Sequence, residues 1–193
     1  MSAHPKIWFL RHGQTEWNRA FRLQGHLDSP LTDQGIAEAE RQAQIMPSIL
    51  AQKPDILVSP LGRAQQTART ALNGAAFQTD ARLMEIHAGD WQGATRDEIF
   101  AAYPDLAARD PAPLEIYAAA PGGEGLAAFR ARIRAVLDSL IAPTVLVAHR
   151  LWGQVLRAEV CGVAPAEAGR LSNRQGCVYL LENGSERILE APA

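Results

Sequence analysis

The chain has 193 residues, of which 47% are hydrophobic, and a formal net charge of -2 at pH 7; this is enough chain for one well-filled core and little for two. So balanced a charge excludes broad electrostatic attraction to nucleic acid or an anionic membrane and confines any anion binding to a local pocket. No apolar run approaches a membrane span, and MSAHPKIWFL carries no leader-like apolar stretch behind a basic region, so a soluble cytoplasmic protein is expected.

In chain order, KIWFL (6–10) is a short apolar run suited to a strand buried on both faces of a parallel sheet. TDQGIAEAERQAQIMPSIL (32–50) opens on Thr32 as a helix N-cap and carries apolar residues at helical spacing. DILVS (55–59) reads as a second buried strand, LGRAQQTARTAL (61–72) as a helix, and FQTDARLME (77–85) as a short strand or an extended passage into a loop. Residues 92–123 mix a short helix with four prolines and much alanine, and read as a cap-like excursion from a single domain spanning 1–193. GLAAFRARIRAVLDSLIA (125–142) places Leu126, Phe129, Ile133, Val136, Leu137 and Leu140 on one helical face, with Arg130, Arg132 and Arg134 on a solvated one. TVLVA (144–148) predicts a strand, about 151–160 a last helix, CVYLLEN (177–183) a further strand, and NGS a tight turn into ERILEA (186–191), an antiparallel edge hairpin. The alternation predicts a three-layer α/β sandwich: a mostly parallel central sheet with an antiparallel edge strand and helices on both faces.

Cationic groups follow several of these strands: Arg11 and His12 after the first, Arg63 just past the second, His149 and Arg150 after TVLVA. In a parallel sheet those carboxyl ends converge on one crevice. Arginines and histidines gathered there are costly to desolvate without a counter-anion, and phosphate matches the guanidinium fork. Cys161 and Cys177 form neither a disulfide framework nor a zinc spacing, so they read as buried hydrophobes and no metal or cofactor is expected. Trp8, Trp17, Trp91 and Trp152 read as packing residues, His4 and His26 as surface, and His87 as a half-buried structural histidine.

The ordered string RHGQTEWN, QGHLDSPLTDQG, SPLGRAQQTA, LMEIHAGDWQG, PGGE and VAH resembles the histidine phosphatase superfamily, which includes cofactor-dependent phosphoglycerate mutases and many small phosphatases. The resemblance covers most of the chain. It implies that His12 attacks phosphorus and carries it as a phosphohistidine, that Arg11, Arg63 and His149 steady the transferring oxygens, and that Glu85 protonates the leaving oxygen and later takes a proton from water. It further implies that Asn18, Gln24 and Gly25 hold bound phosphate in an early loop. His12 has to be neutral to attack, and Arg11 and Arg63 beside it favour that form. The implied partner is a small phosphorylated metabolite, with no nucleic acid, membrane or metal; nothing in the sequence speaks to oligomeric state.

Two departures from the family pattern stand out. Arg150 occupies the place of a glycine commonly found after the second histidine, where it would strain the turn, fill the pocket or add an anion contact. MEIHAGDWQG lacks the arginine-histidine-tyrosine run that mutases show after the acid, and the following insertion is shorter than theirs, which favours hydrolysis over phosphoryl return. The expected activity is therefore metal-independent hydrolysis of a small phosphomonoester through His12. Its rivals are a mutase primed by a bisphosphoglycerate and a catalytically weak phospho-ligand binding protein.

Overall fold

The structure is a computed structural model and describes residues 4–192. The leader reading rests partly on Met1–Ala3, which lie outside the described residues. Strand β1 (Ile7–Arg11) leads through a short helix α1 (Glu16–Arg19) to the long helix α2 (Asp33–Leu50), which returns to β2 (Asp55–Val58). Helix α3 (Gly62–Ala71) then leads to a two-residue strand β3 (Gln78–Thr79). Helices α4 (Arg96–Ala102), α5 (Pro104–Ala107) and α6 (Pro113–Ala119) precede α7 (Gly125–Ser139), β4 (Thr144–Ala148) and α8 (Arg150–Cys161). Strands β5 (Val178–Glu182) and β6 (Ser185–Leu189) close the chain as a hairpin.

The six strands are ordered β3-β2-β4-β1-β5-β6. The pairings β3–β2, β2–β4 and β4–β1 are parallel, while β1–β5 and β5–β6 are antiparallel, so the antiparallel pairings gather at one side of the sheet as expected. Asn183 and Gly184 both have positive φ (54° and 73°), the backbone a two-residue hairpin turn with right-handed twist requires.

Alternation along the strands sorts the core into two faces. Ile7, Phe9, Leu146 and Tyr179 pack against Phe129 and Ile133 of α7 and against Trp152 and Val155 of α8. Trp8, Leu10, Val145 and Val147 pack instead against Met46 and Ile49 of α2 and Ala64 and Ala68 of α3. Each buried Leu, Ile or Val contributes about 1.5–3 kcal/mol to this arrangement. β2 is less covered than its apolar run suggests, because its only outer neighbour is the two-residue β3: Asp55 is exposed and Ile56 and Leu57 are half-buried.

The 92–123 segment holds three short helices rather than one. Two of its four prolines open them, Pro104 at the start of α5 and Pro113 at the start of α6, where the missing N–H costs nothing. Ile99, Leu106, Ile116 and Ala120 bury a small separate cluster with Leu23, Ala88 and Trp91, so this segment packs on the two loops that carry QGHL and LMEIHAGDW. Arg150 is the first residue of α8 and is absent from the positive-φ positions; the strained turn considered for it does not occur.

Candidate active site

His12 follows β1 directly and is 3% exposed. Its Nδ1 lies 2.7 Å from the carbonyl oxygen of Gly13, which can only accept, so Nδ1 carries the proton and Nε2 the lone pair. Burial, then Arg63, then Arg11 hold the imidazole well below the ordinary histidine range, against the opposing Gly13 hydrogen bond. The neutral form is thereby favoured. The turn is fixed from both sides, since Gly13 N–H donates to Thr67 Oγ1 and a Cβ on Gly13 would lie 2.1 Å from the Gly35 carbonyl oxygen at the start of α2.

Arg63 projects from the first turn of α3 and is 2% exposed. Its guanidinium donates to the carbonyls of Leu27 (2.8 Å) and Gly25 (2.9 Å) and pairs with Asp28 (3.1 Å), while its Nε has no partner. Arg11, at the end of β1, donates from NH1 to the Asn173 carbonyl at 2.5 Å and also leaves a buried Nε unpartnered. Burial and then the neighbouring Arg150 lower Arg11 to about 10. Each guanidinium thus keeps one buried donor without a protein partner beside the neutral imidazole.

Glu85 is 6% exposed and sits on the amino terminus of α8: Oε1 accepts from Ile86 N and Trp152 N, and Oε2 from Leu151 N, each at 3.0 Å. The otherwise unpartnered N–H groups of a helix start thus fix both of its oxygens in place. Together, Arg11, His12, Arg63, Glu85 and Arg150 line one cavity of about 250 Å³, joined by Asn18 and Gln24 from the early loop. The sequence thus named seven of the residues on this wall.

Two expected site residues adjoin the cavity residues without lining the cavity. Gly25 is not on the cavity wall; its φ of +54° turns its carbonyl toward Arg63, and a Cβ there would lie 2.4 Å from Gln92 Oε1. It supports the arginine. His149 is fully buried at the end of β4, its ring centroid 5.2 Å from that of His12, and is likewise absent from the cavity lining. Its Nε2 meets Ser59 Oγ at 2.7 Å and its Nδ1 has no partner. Burial and then Arg63 push this imidazole well below its ordinary range as well.

Other residues were misjudged or missed. Arg132 is not solvated: its guanidinium donates to the carbonyls of Arg82 (2.7 Å), Met84 (2.7 Å) and Glu85 (2.9 Å) and pairs with Glu124 of PGGE at 2.6 Å. His26 is half-buried rather than on the surface, with Nε2 2.9 Å from the Glu85 carbonyl and its ring edge-on to His87 at 4.8 Å. His87 is structural, accepting the Gly89 N–H on Nδ1 at 3.2 Å. Tyr117, on the cavity wall, accepts the Gln24 N–H, and burial pushes its phenol up to about 12. Asn173 lies in a segment whose sequence gives no signal beyond loop composition, whereas Ser59 stood in both DILVS and SPLGRAQQTA without being singled out as the partner of His149. Among the described residues no helix is long and apolar enough to cross a membrane, and no group of His, Cys, Asp or Glu is placed to hold a metal ion.

Comparison with known proteins agrees with this geometry. The chain is 38% identical over 177 residues to a glucosyl-3-phosphoglycerate phosphatase of Mycolicibacterium vanbaalenii, covering 82% of this chain and 75% of that one. It is 32% identical over 179 residues to a Yersinia pestis protein named probable phosphoglycerate mutase GpmB, covering 89% and 81%. A solved mycobacterial glucosyl-3-phosphoglycerate phosphatase complexed with VO3 superposes with a TM-score of 0.73 at 32% identity, covering 96% of both chains. With residues 7–189 also matching the model of the histidine phosphatase superfamily (branch 1), the chain belongs to that superfamily.

Proposed function

We propose that the protein is a phosphatase that hydrolyses a small phosphomonoester through a phosphohistidine at His12, with no metal. The observation that carries this reading is the gathering of a neutral imidazole, five arginines and one carboxyl group, that of Glu85, on a single cavity wall. His12 Nε2 attacks phosphorus, forming a P–N bond as the bond to the alcohol oxygen breaks. Glu85 gives its proton to that oxygen. Water then attacks phosphorus, the P–N bond breaks, Glu85 takes the water's proton, and phosphate leaves with Nε2 restored to a lone pair. Arg11 and Arg63, already fixed by backbone carbonyls, supply the donors that a transferring phosphoryl group needs at its equatorial oxygens. The buried His149 packs beside His12, with ring centroids 5.2 Å apart.

The relatives support hydrolysis: a glucosyl-3-phosphoglycerate phosphatase stands at 38% identity, against 32% for the protein named as a mutase. The helices of 92–123 would act as a cap, since Ile116, Tyr117 and Pro113 form part of the cavity wall. The free thiols of Cys161 and Cys177 suit a reducing, cytoplasmic setting. The test is phosphate release from p-nitrophenyl phosphate by the wild type and by His12→Ala, alongside 3-phosphoglycerate. Release that vanishes in His12→Ala supports the reading. Isomerisation of 3-phosphoglycerate without net phosphate release would instead establish a mutase.

A further inference from the structure

Tyr117 belongs to α6, in the segment 92–123, yet its contacts run well beyond that segment. The half-buried ring packs against two clusters at once, the one that α7 and α8 form with the sheet and the small one around Trp91. So held, the residue lines the same cavity as His12, Arg63 and Glu85. Its hydroxyl oxygen accepts the Gln24 N–H at 3.2 Å. That bond occupies a lone pair and leaves the proton, and among the described residues no group accepts it. The phenol therefore carries a donor that the protein itself does not use.

Burial and then the Glu85 carboxyl push this phenol up to about 12, against Gln24, Arg63 and Arg150. The hydroxyl thus stays protonated through the neutral range and lies within electrostatic reach of the acid and of two arginines, which places it at the reacting end of the cavity. The mouth is formed by other residues, the exposed Phe21 and the ion-paired Arg22 and Arg96. A donor at the reacting end meets the phosphoryl group, which every phosphomonoester has, and not the far part of the alcohol. A neutral donor suits that place. Burial and Arg150 already lower Arg11 to about 10, so a further cation would add to the repulsion, whereas an O–H dipole stabilises oxygens gathering negative charge without doing so.

We propose that the Tyr117 hydroxyl donates a hydrogen bond to an oxygen of the transferring phosphoryl group, which makes it a catalytic residue supplied by the 92–123 segment. The inference rests on the phosphatase reading above and adds a residue to its machinery. Tyr117→Phe keeps the ring and its packing and removes the donor. Its kcat/KM should fall about 10- to 100-fold, the worth of one hydrogen bond to a charged group, by the same factor on p-nitrophenyl phosphate and on glycerol 3-phosphate, and inhibition by inorganic phosphate should weaken with it. A second variant separates donation from support of the early loop: a polyfluorinated tyrosine at position 117 keeps the oxygen that accepts the Gln24 N–H and ionises at lower pH. Once ionised it still accepts that N–H but has no proton to donate, so inhibition by phosphate should weaken at a lower pH than in the wild type. Unchanged kinetics in Tyr117→Phe, a loss confined to glycerol 3-phosphate, or phosphate inhibition that follows the wild type at every pH in the fluorinated enzyme overturns the inference alone. A wild type that releases no phosphate from either ester overturns the phosphatase reading and this inference with it.

Discussion

Glu85 Oε1 and the backbone N–H of Trp152 are joined at 3.0 Å across 67 positions of chain, which fastens the loop after β3 to the start of α8. The proton donor of the proposed reaction is therefore placed by a helix terminus and not by a flexible side chain alone. His149, which follows β4, is the residue immediately before that helix, so the histidine packed beside His12 and the helix start that holds Glu85 belong to one strand-to-helix junction.

Glu85→Gln removes the proton donor and sets an amide nitrogen against backbone N–H groups. It should slow hydrolysis of alkyl phosphates by about 10²–10⁴-fold, with a much smaller effect on p-nitrophenyl phosphate, whose leaving group departs without a proton. Rates measured across a leaving-group series check this. Equal losses on good and poor leaving groups would remove Glu85 from proton transfer.

Arg132 should behave as a positioning residue. It holds three carbonyls of residues 82–85, that of Glu85 included, and the Glu124 carboxylate, and is not itself among the residues lining the cavity. Arg132→Met should lower kcat on an alkyl phosphate about 10- to 100-fold, since an acid misplaced by a fraction of an ångström costs that much. KM should change little, and Arg132→Lys should recover part of the loss. A loss that tracks melting temperature alone and is indifferent to the leaving group would reduce Arg132 to a stability role.

Stability should fall on mild acidification. His12 and His149 are held neutral in the native state, well below the ordinary value, chiefly by burial and then by Arg63. In the unfolded chain they bind protons from about pH 6.5 downward. Below that pH the unfolded state binds more protons, so each histidine that stays neutral lowers stability by about 1.4 kcal/mol per pH unit. Urea unfolding from about pH 7.5 to 5.5 measures the slope. His149→Asn should reduce it by the share of one histidine, while stability that stays flat through this window would contradict the neutral pair.

Much of this was legible before the structure, and for a physical reason. The ends of parallel strands gather on one edge, so Arg11, His12 and His149 could be brought together from the apolar runs preceding them, and the prolines and alanines of 92–123 marked a departure from the sheet. What failed was what depends on a partner distant in sequence. Arg132 differs from Arg130 and Arg134 only by facing the loop 82–85, which no helical periodicity records. Gly25, expected to hold phosphate, is not among the residues lining the cavity and gives its carbonyl to Arg63. Asn173 lies in a loop without pattern, and only the fold sets it between Arg11 and Arg150.

The central claim is a covalent bond between phosphorus and one imidazole. Rapid acid-free quenching of enzyme turning over a phosphorus-labelled ester, followed by peptide mass spectrometry, tests it most directly. The account predicts an acid-labile phosphoryl group on the peptide that contains His12, formed and lost at rates matching turnover and missing in His12→Ala. Steady turnover with no labelled peptide, or with the label on another residue, would contradict it.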